Sequence, residues 1–135
     1  MSDLGIKVMV VEDEFLLLEA IEKKLKLNGF EVVSCSSGHQ AIDYLKNLVE
    51  LPDAIWLDYH LGDMDGITIM QEMKKSEKLS KIPVIVVSNS ASPDKVQNML
   101  ALGAKKYLLK AEYRLDDLIG EVKKFVAQER ALKHE

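Results

Sequence analysis

Short apolar runs alternate with longer segments of helical period along the chain. Residues 6–11 are apolar except for Lys7, the pattern of a strand buried on both faces. Residues 14–28 follow with Leu17, Leu18, Ile21 and Leu25 at helical spacing, and stop at Asn28-Gly29, where glycine can take the left-handed turn. Residues 30–35 predict a second strand and 37–48 a second helix, with Ala41, Ile42, Leu45 and Leu48 on one face. Pro52-Asp53 breaks the chain before a third strand, Ala54–Leu57, and Asp65-Gly66 opens a helix carrying Ile69, Met70 and Met73. Residues 83–87 predict the fourth strand. Ser92-Pro93-Asp94 then combines a capping hydroxyl, a proline at the first helical position and an acid in the first turn. That helix carries Val96, Met99 and Leu100 toward a stop near Gly103. Lys106–Leu109 is a short fifth strand, and a last helix from Leu115 buries Leu118, Ile119, Val122, Phe125 and Val126.

Five strand–helix units in succession predict an α/β fold: a (βα)5 doubly wound parallel sheet with right-handed crossovers and helices on both faces. The flavodoxin-like strand order 2-1-3-4-5 is the leading arrangement. The 135 residues fit one domain, with a core over residues 6–126 and residues 127–135 a solvated C-terminal helix end or tail. Apolar residues make up 47% but aromatics only 6%, so the core must be aliphatic.

Charge and cysteine content narrow the setting. A net charge of −4 gives no electrostatic footprint for nucleic acid or an anionic membrane. Cys35 stands alone, cannot make an internal disulfide, and favours a reducing compartment. The N-terminal apolar run is too short for an export signal and is followed at once by Glu12, Asp13 and Glu14. No run approaches the roughly 20 apolar residues of a membrane helix, so the cytoplasm is expected.

In an open parallel sheet, ligands bind beyond the carboxyl ends of the strands. Glu12 and Asp13 follow the first strand, Asp58 the third, Ser88 the fourth and Lys110 the fifth. Each alone has an ordinary structural explanation: Asp13 as a cap on the first helix, Ser88 as the cap of a turn. Their arrival at one edge from four separate stretches carries the functional reading. Three crowded carboxylates repel one another and call for a cation. Oxygen-only ligation favours a hard ion such as Mg²⁺, which binds one or two carboxylates and a phosphate while keeping several waters. Such an ion could orient an aspartate oxygen for in-line attack on phosphorus, with Lys110 as a point charge and Ser88 as a hydrogen-bond donor.

These residues resemble the receiver domains of two-component response regulators, over residues 6–126. Glu12-Asp13 matches the family's metal-binding pair. Asp58-Tyr59-His60-Leu61-Gly62-Asp63-Met64-Asp65-Gly66 is similar to its phosphoacceptor segment. Ser88 matches the switch hydroxyl, and Tyr107, three residues before Lys110, the switch aromatic. The resemblance implies that Asp58 accepts phosphate from a phosphohistidine on a sensor histidine kinase or a histidine phosphotransfer protein. It implies that Asp13, Asp58 and the backbone carbonyl of His60 ligate Mg²⁺, with Glu12 acting through a coordinated water. Lys110 and Ser88 would bind the phosphoryl oxygens. Tyr107 would swing in behind Ser88, altering the fourth helix, fifth strand and fifth helix for a downstream protein target.

Four residues depart from the family pattern. Glu12 stands where Asp is commoner and Gly62 where Pro is frequent. Asn89 stands where a small residue is usual, and its amide would narrow access to Asp58. Ala111 replaces a Pro whose bond to the preceding lysine is often cis. Since a non-proline cis bond costs about 2.5–4 kcal/mol, the Lys110–Ala111 bond should be trans or strained.

Phe15 and Leu16 are apolar beyond the needs of the first helix. Either they pack against the neighbouring loop or they form a docking patch for the phosphodonor. Tyr107 could also simply pack. His39 and His60 lack metal-ligand spacing, and Cys35 has no histidine placed to activate it. A magnesium-dependent phosphatase would carry a second Asp two residues after its nucleophile, where this chain has His60. A flavin or nucleotide binder would need a Gly-rich cradle, whereas the loop after the first strand is acidic. The remaining reading is a phosphorylatable switch that acts by binding another protein.

Overall fold

The five apolar runs become the strands of one parallel sheet in the computed structural model, which describes residues 5–133. The elements run β1 (Lys7–Val11), α1 (Phe15–Leu27), β2 (Glu31–Cys35), α2 (Gly38–Asn47), β3 (Ala54–Leu57), β4 (His60–Leu61), β5 (Met64–Asp65), α3 (Gly66–Lys74), α4 (Glu77–Ser80), β6 (Val84–Ser88), α5 (Pro93–Ala101), β7 (Lys106–Leu109), a 3-10 turn (Lys110–Glu112) and α6 (Leu115–Lys133). The sheet order is β2-β1-β3-β6-β7. This is the expected 2-1-3-4-5 once the small β4–β5 hairpin, which lies outside the sheet, is set aside.

Period-two alternation sorts the strand side chains into two cores. Val8, Val10, Trp56, Ile85 and Val87 face α1 and α6, meeting Leu18, Ile21, Leu25, Leu118, Val122 and Phe125. Met9, Val11, Ile55, Leu57, Val84 and Val86 face the other way, onto Leu45, Ile69, Met70, Met73 and Met99 of α2, α3 and α5. Every residue of β3 and β6 is buried, because both faces of a parallel sheet carry helices. Trp56 fills the α1–α6 side and is fully enclosed, with no hydrogen-bond partner for its indole N–H.

The expected helix signals do their work. Ser92 accepts a hydrogen bond from the Lys95 N–H, with Pro93 next to it at the first helical position. Asp65 accepts from the Thr68 N–H. Gly66 lets the first turn of α3 approach the third strand's exit: a Cβ there would meet Met99 Cε at 3.0 Å and the backbone of Tyr59 and Asp58 at 3.4 and 3.5 Å. The β4–β5 hairpin, α4 and the 3-10 turn after β7 were not foreseen. The β4–β5 hairpin has only two residues a side, and α4 is a single turn capped by Ser76, both too short for a hydrophobic period to show. Of the C-terminal tail, α6 continues as helix to Lys133, and residues 134–135 lie outside the described residues.

One expected core residue is on the surface. Of the apolar stripe on α5, only Met99 is buried; Leu100 is 45% exposed. Met99 is therefore the main apolar anchor of α5. Met99→Ala should cost about 2–5 kcal/mol, whereas Leu100→Ala should stay within about 0.5 kcal/mol. Urea unfolding of the two variants measures the contrast.

Candidate functional site

β1 and β3 are neighbours at the point where the strand order reverses, so their carboxyl ends open a crevice. The ladder extends past the strands: the Glu12 N–H donates to the Cys35 carbonyl at 3.0 Å and the Asp58 N–H to the Val11 carbonyl at 3.1 Å. These bonds fix the first acid of each exit. One carboxylate oxygen from each of Glu12, Asp13 and Asp58 lies within 4.8 Å of the other two. The Lys110 ammonium, just beyond β7, donates to Glu12 Oε1 at 2.7 Å and to Asp58 Oδ2 at 3.2 Å. Asp58 is only 5% exposed and Glu12 1%.

The electrostatics follow from burial and crowding. Burial raises the Glu12 pKa and the charge of Asp58 adds to the rise, while hydrogen bonds from Lys110 and the Glu14 N–H oppose it. Burial also disfavours the Lys110 charge, but the hydrogen bond to Glu12 and the field of Asp58 outweigh it, and the Lys110 pKa is raised. The lysine therefore stays charged and holds the two acids together. Both Glu12 oxygens are engaged within the protein, Oε1 by Lys110 and Oε2 by the Glu14 N–H at 3.1 Å. Asp58 has one oxygen tied to Lys110 and no hydrogen bond recorded to the other among the described residues. The donor set is all oxygen and anionic, which suits a hard divalent cation.

Asp13 does not cap α1. Glu14 occupies that position without a side-chain cap, and Asp13 Oδ2 instead accepts the Gly62 N–H at 3.0 Å across the crevice. A proline at this place would have no N–H to give. The hairpin carrying Gly62 is pinned in turn by Asp63, which accepts the N–H groups of Gly38 and His39 at 2.9 Å each and the His39 ring nitrogen at 2.6 Å. His39, which has no metal-ligand spacing, thus serves as a partner of Asp63. Some burial works against the Asp63 charge, yet these donors at the start of α2 hold its pKa down at about 2. Sequence reading passed over Asp63; its only signal was its place in the loop after Asp58.

Ser88 is fully buried and its hydroxyl accepts the Ser90 N–H at 3.3 Å, so the turn-capping reading describes part of what it does. Tyr107 is half-buried, and its hydroxyl donates to the Ser90 carbonyl at 2.6 Å. Lys95, also unforeseen, reaches from α5 to His60 and Ser90. Asn89 is exposed and makes no hydrogen bond among the described residues. Phe15 and Leu16 are 67% and 78% exposed, and Phe15 borders a cleft with Ser34, Ser36 and Gln40, so any packing against the neighbouring loop covers only a part of each. No described peptide bond is cis, so Lys110–Ala111 is trans and the lysine still reaches both acids. Cys35 is buried and its thiol is pushed up to about 12, consistent with a core role.

Asp13 and the β4–β5 hairpin line an open cleft of about 450 Å³ beside the acids. A groove of about 430 Å³ between Leu45, Leu48, Leu51 and Leu79 lies where α2 and α3 end, at the opposite edge of the sheet, and shares none of these residues. No described helix is long and apolar enough to cross a membrane.

Residues 8–123 match the family model of the response regulator receiver domain. The transcriptional regulatory protein PrrA of Mycobacterium leprae is 35% identical over 118 residues, covering 87% of this chain and 48% of that protein. The two-component response regulator ORR8 of Oryza sativa subsp. indica is 33% identical over 103 residues, covering 76% of this chain and 84% of that protein. The chain thus spans about half of one relative and most of the other. Among solved structures, the phosphorylated cyanobacterial phytochrome response regulator RcpA superposes with a TM-score of 0.77 at 30% identity, covering 89% of this chain and 90% of that one. A Francisella response regulator receiver domain gives 0.78 at 25% identity, covering 92% and 98%.

The Asp63 anchor makes a pH-dependent prediction. Its folded pKa lies below the ordinary 3.8, so its stabilisation is complete above that value and is lost as pH falls toward about 2. Asp63→Ala should cost about 1 kcal/mol at neutral pH, as loss of a helix cap does. In urea unfolding at stepped pH, the gap between wild type and variant should close on the acid side.

Proposed function

The chain belongs to the response regulator receiver domain family, and from that premise we propose that it is a phosphorelay switch with Asp58 as phosphoryl acceptor. One observation carries this reading. Asp58 is buried at a strand end beside Glu12 and Asp13, with one oxygen tied to Lys110. That tie orients the carboxylate and leaves its other oxygen as the nucleophile. In the transfer, that oxygen forms a bond to phosphorus while the P–N bond of a phosphohistidine breaks, and the donor imidazole leaves with the electron pair. Relatives named as two-component regulators, and RcpA in its phosphorylated form, support the same chemistry.

Asp13, Asp58 and the His60 carbonyl would hold Mg²⁺. Glu12 would act through a bound water, which agrees with both of its oxygens being engaged within the protein. When bound there, the ion supplies charge that offsets the incoming phosphoryl oxygens. Lys110 turns toward the phosphoryl group as the negative charge at Asp58 grows. Ser88 gives up the Ser90 N–H and donates to a phosphoryl oxygen. Tyr107, now bonded to Ser90, then loses its outer hold and moves behind Ser88. α5, whose one buried residue is Met99, is the element that can follow at low cost. The surface of α5, β7 and α6 is the proposed output face for a downstream protein.

The partner upstream is a sensor histidine kinase or a histidine phosphotransfer protein. Phe15 and Leu16, exposed at the start of α1 next to Asp13 and Glu14, offer the apolar landing patch. Asn89, exposed beside Ser88, narrows the approach. The protein is a phosphoacceptor rather than a turnover enzyme, and its proposed setting is the cytoplasm.

Two measurements test this. Treated with a small acyl phosphate and Mg²⁺, the wild type should gain one phosphoryl group by intact mass, and Asp58→Asn should gain none. Labelling that persists in Asp58→Asn would reject the acceptor assignment. Phe15→Ala should slow transfer from a phosphohistidine protein about tenfold, the scale of one buried apolar contact, while sparing labelling by the small donor. Equal slowing with both donors would sink the docking role.

A further inference from the structure

We propose that Lys95 is a positioning residue of this site, a clasp between the loops leaving β3 and β6 that lengthens the life of a phosphoryl group on Asp58. The proposal rests on the reading of Asp58 given above. Lys95 sits in the first turn of α5, where its own N–H donates to the Ser92 hydroxyl, so the start of its side chain is fixed. Its ammonium lies 3.0 Å from His60 Nε2 and 2.9 Å from Ser90 Oγ. It also stands 5.2 Å from the centre of the Tyr59 ring, within reach of the aromatic face.

The partners are unusual in kind. A lysine on a helix surface ordinarily extends into water or pairs with a carboxylate. Lys95 has Asp94 as its neighbour and pairs with no acid among the described residues; its recorded partners are an imidazole, a hydroxyl and a phenol ring. Its charge is therefore not cancelled by a bonded acid, beside a site that must receive an anion.

The position follows from the sheet. β3 and β6 are parallel neighbours, with Leu57 opposite Val86. His60 lies two residues beyond Asp58, and Ser90 two beyond Ser88. The loops bearing them rise side by side from the acceptor and the buried hydroxyl, and Lys95 ties one to the other. Ser90 is in turn bonded to Ser88 through its N–H and to Tyr107 through its carbonyl. The clasp thus acts on the same short segment as the proposed switch residues.

Hydrolysis of the phosphoryl group needs a water oxygen to form a bond to phosphorus opposite the Asp58 oxygen. The P–O bond to Asp58 then breaks, its electron pair returns to the carboxylate, and inorganic phosphate leaves as the dihydrogen anion with both of the water's protons. Two loops tied by Lys95 narrow the path of that water, and this slows hydrolysis.

The clasp has a signature that does not depend on phosphorylation. An ammonium only donates, so His60 Nε2 must accept and the ring proton must sit on Nδ1. In mildly alkaline buffer, ¹⁵N NMR should show the Nδ1–H form of His60 in wild type and growth of the Nε2–H form in Lys95→Met. A wild type already in the Nε2–H form overturns the clasp. For function, wild type, Lys95→Met, His60→Ala and the double variant are loaded with a small acyl phosphate, freed of donor, and followed by intact mass. Lys95→Met should lose its phosphoryl group roughly threefold to tenfold faster, the equivalent of one hydrogen bond. His60→Ala should do likewise, and the double variant should be no faster than either alone. Equal lifetimes in wild type and Lys95→Met overturn the proposal. A wild type that never loads on Asp58 overturns both the acceptor reading and the kinetic role, and the His60 ring proton then decides whether the clasp itself exists.

Discussion

The Lys110 ammonium stands 2.7 Å from Glu12 and 3.2 Å from Asp58, in a crevice that also holds Asp13. Three carboxylates this close repel one another, and a cation among them relieves the repulsion. Lys110 supplies one positive charge against three negative ones. The surplus negative charge is what a divalent ion would bind to, and what such an ion would offset for an incoming anion. The rest of the site can be understood as ways of holding this imbalance in place.

The fold provides the holding. Reversal of strand order between β1 and β3 brings Glu12, Asp13 and Asp58 together, and β6 and β7 add Ser88 and Lys110 on one side. Backbone bonds past the strand ends fix Glu12 and Asp58. Asp13 is held differently, through Gly62, the hairpin and Asp63 on the first N–H groups of α2. The acid side is thus anchored both on the sheet and on the start of α2. Ser88 ends β6, buried and paired with Leu109, but the segment beyond it through Ser90 and the start of α5 are held by a few side-chain bonds and one buried methionine. Rigid acids beside a more lightly held segment make a site where a local change of charge can become a change of surface.

Much of this was legible in the sequence. The five strands, their order and the five residues at their carboxyl ends follow from apolar runs and turn signals, because burial on both faces leaves a strong pattern. The response regulator resemblance, carried by the Asp58 segment with Ser88, Tyr107 and Lys110, agrees with the family that the chain belongs to. What stayed hidden depends on side-chain partners far apart in the chain. Asp63 is 25 residues from Gly38, and Lys95 is 35 residues from His60; neither pairing has a periodicity. Leu100 fits the helical stripe of α5 but faces out, since apolar spacing alone does not say which face a marginal helix buries. The bare exposure of Phe15 and Leu16 was likewise undecidable until the neighbouring loop had a position.

The imbalance of charge is open to direct measurement by calorimetric titration of Mg²⁺ into the wild type, Asp13→Asn and Asp58→Asn. The account predicts a single saturable site in the wild type that is lost or severely weakened in both variants. Unchanged binding in either variant, or no binding in the wild type, would contradict it.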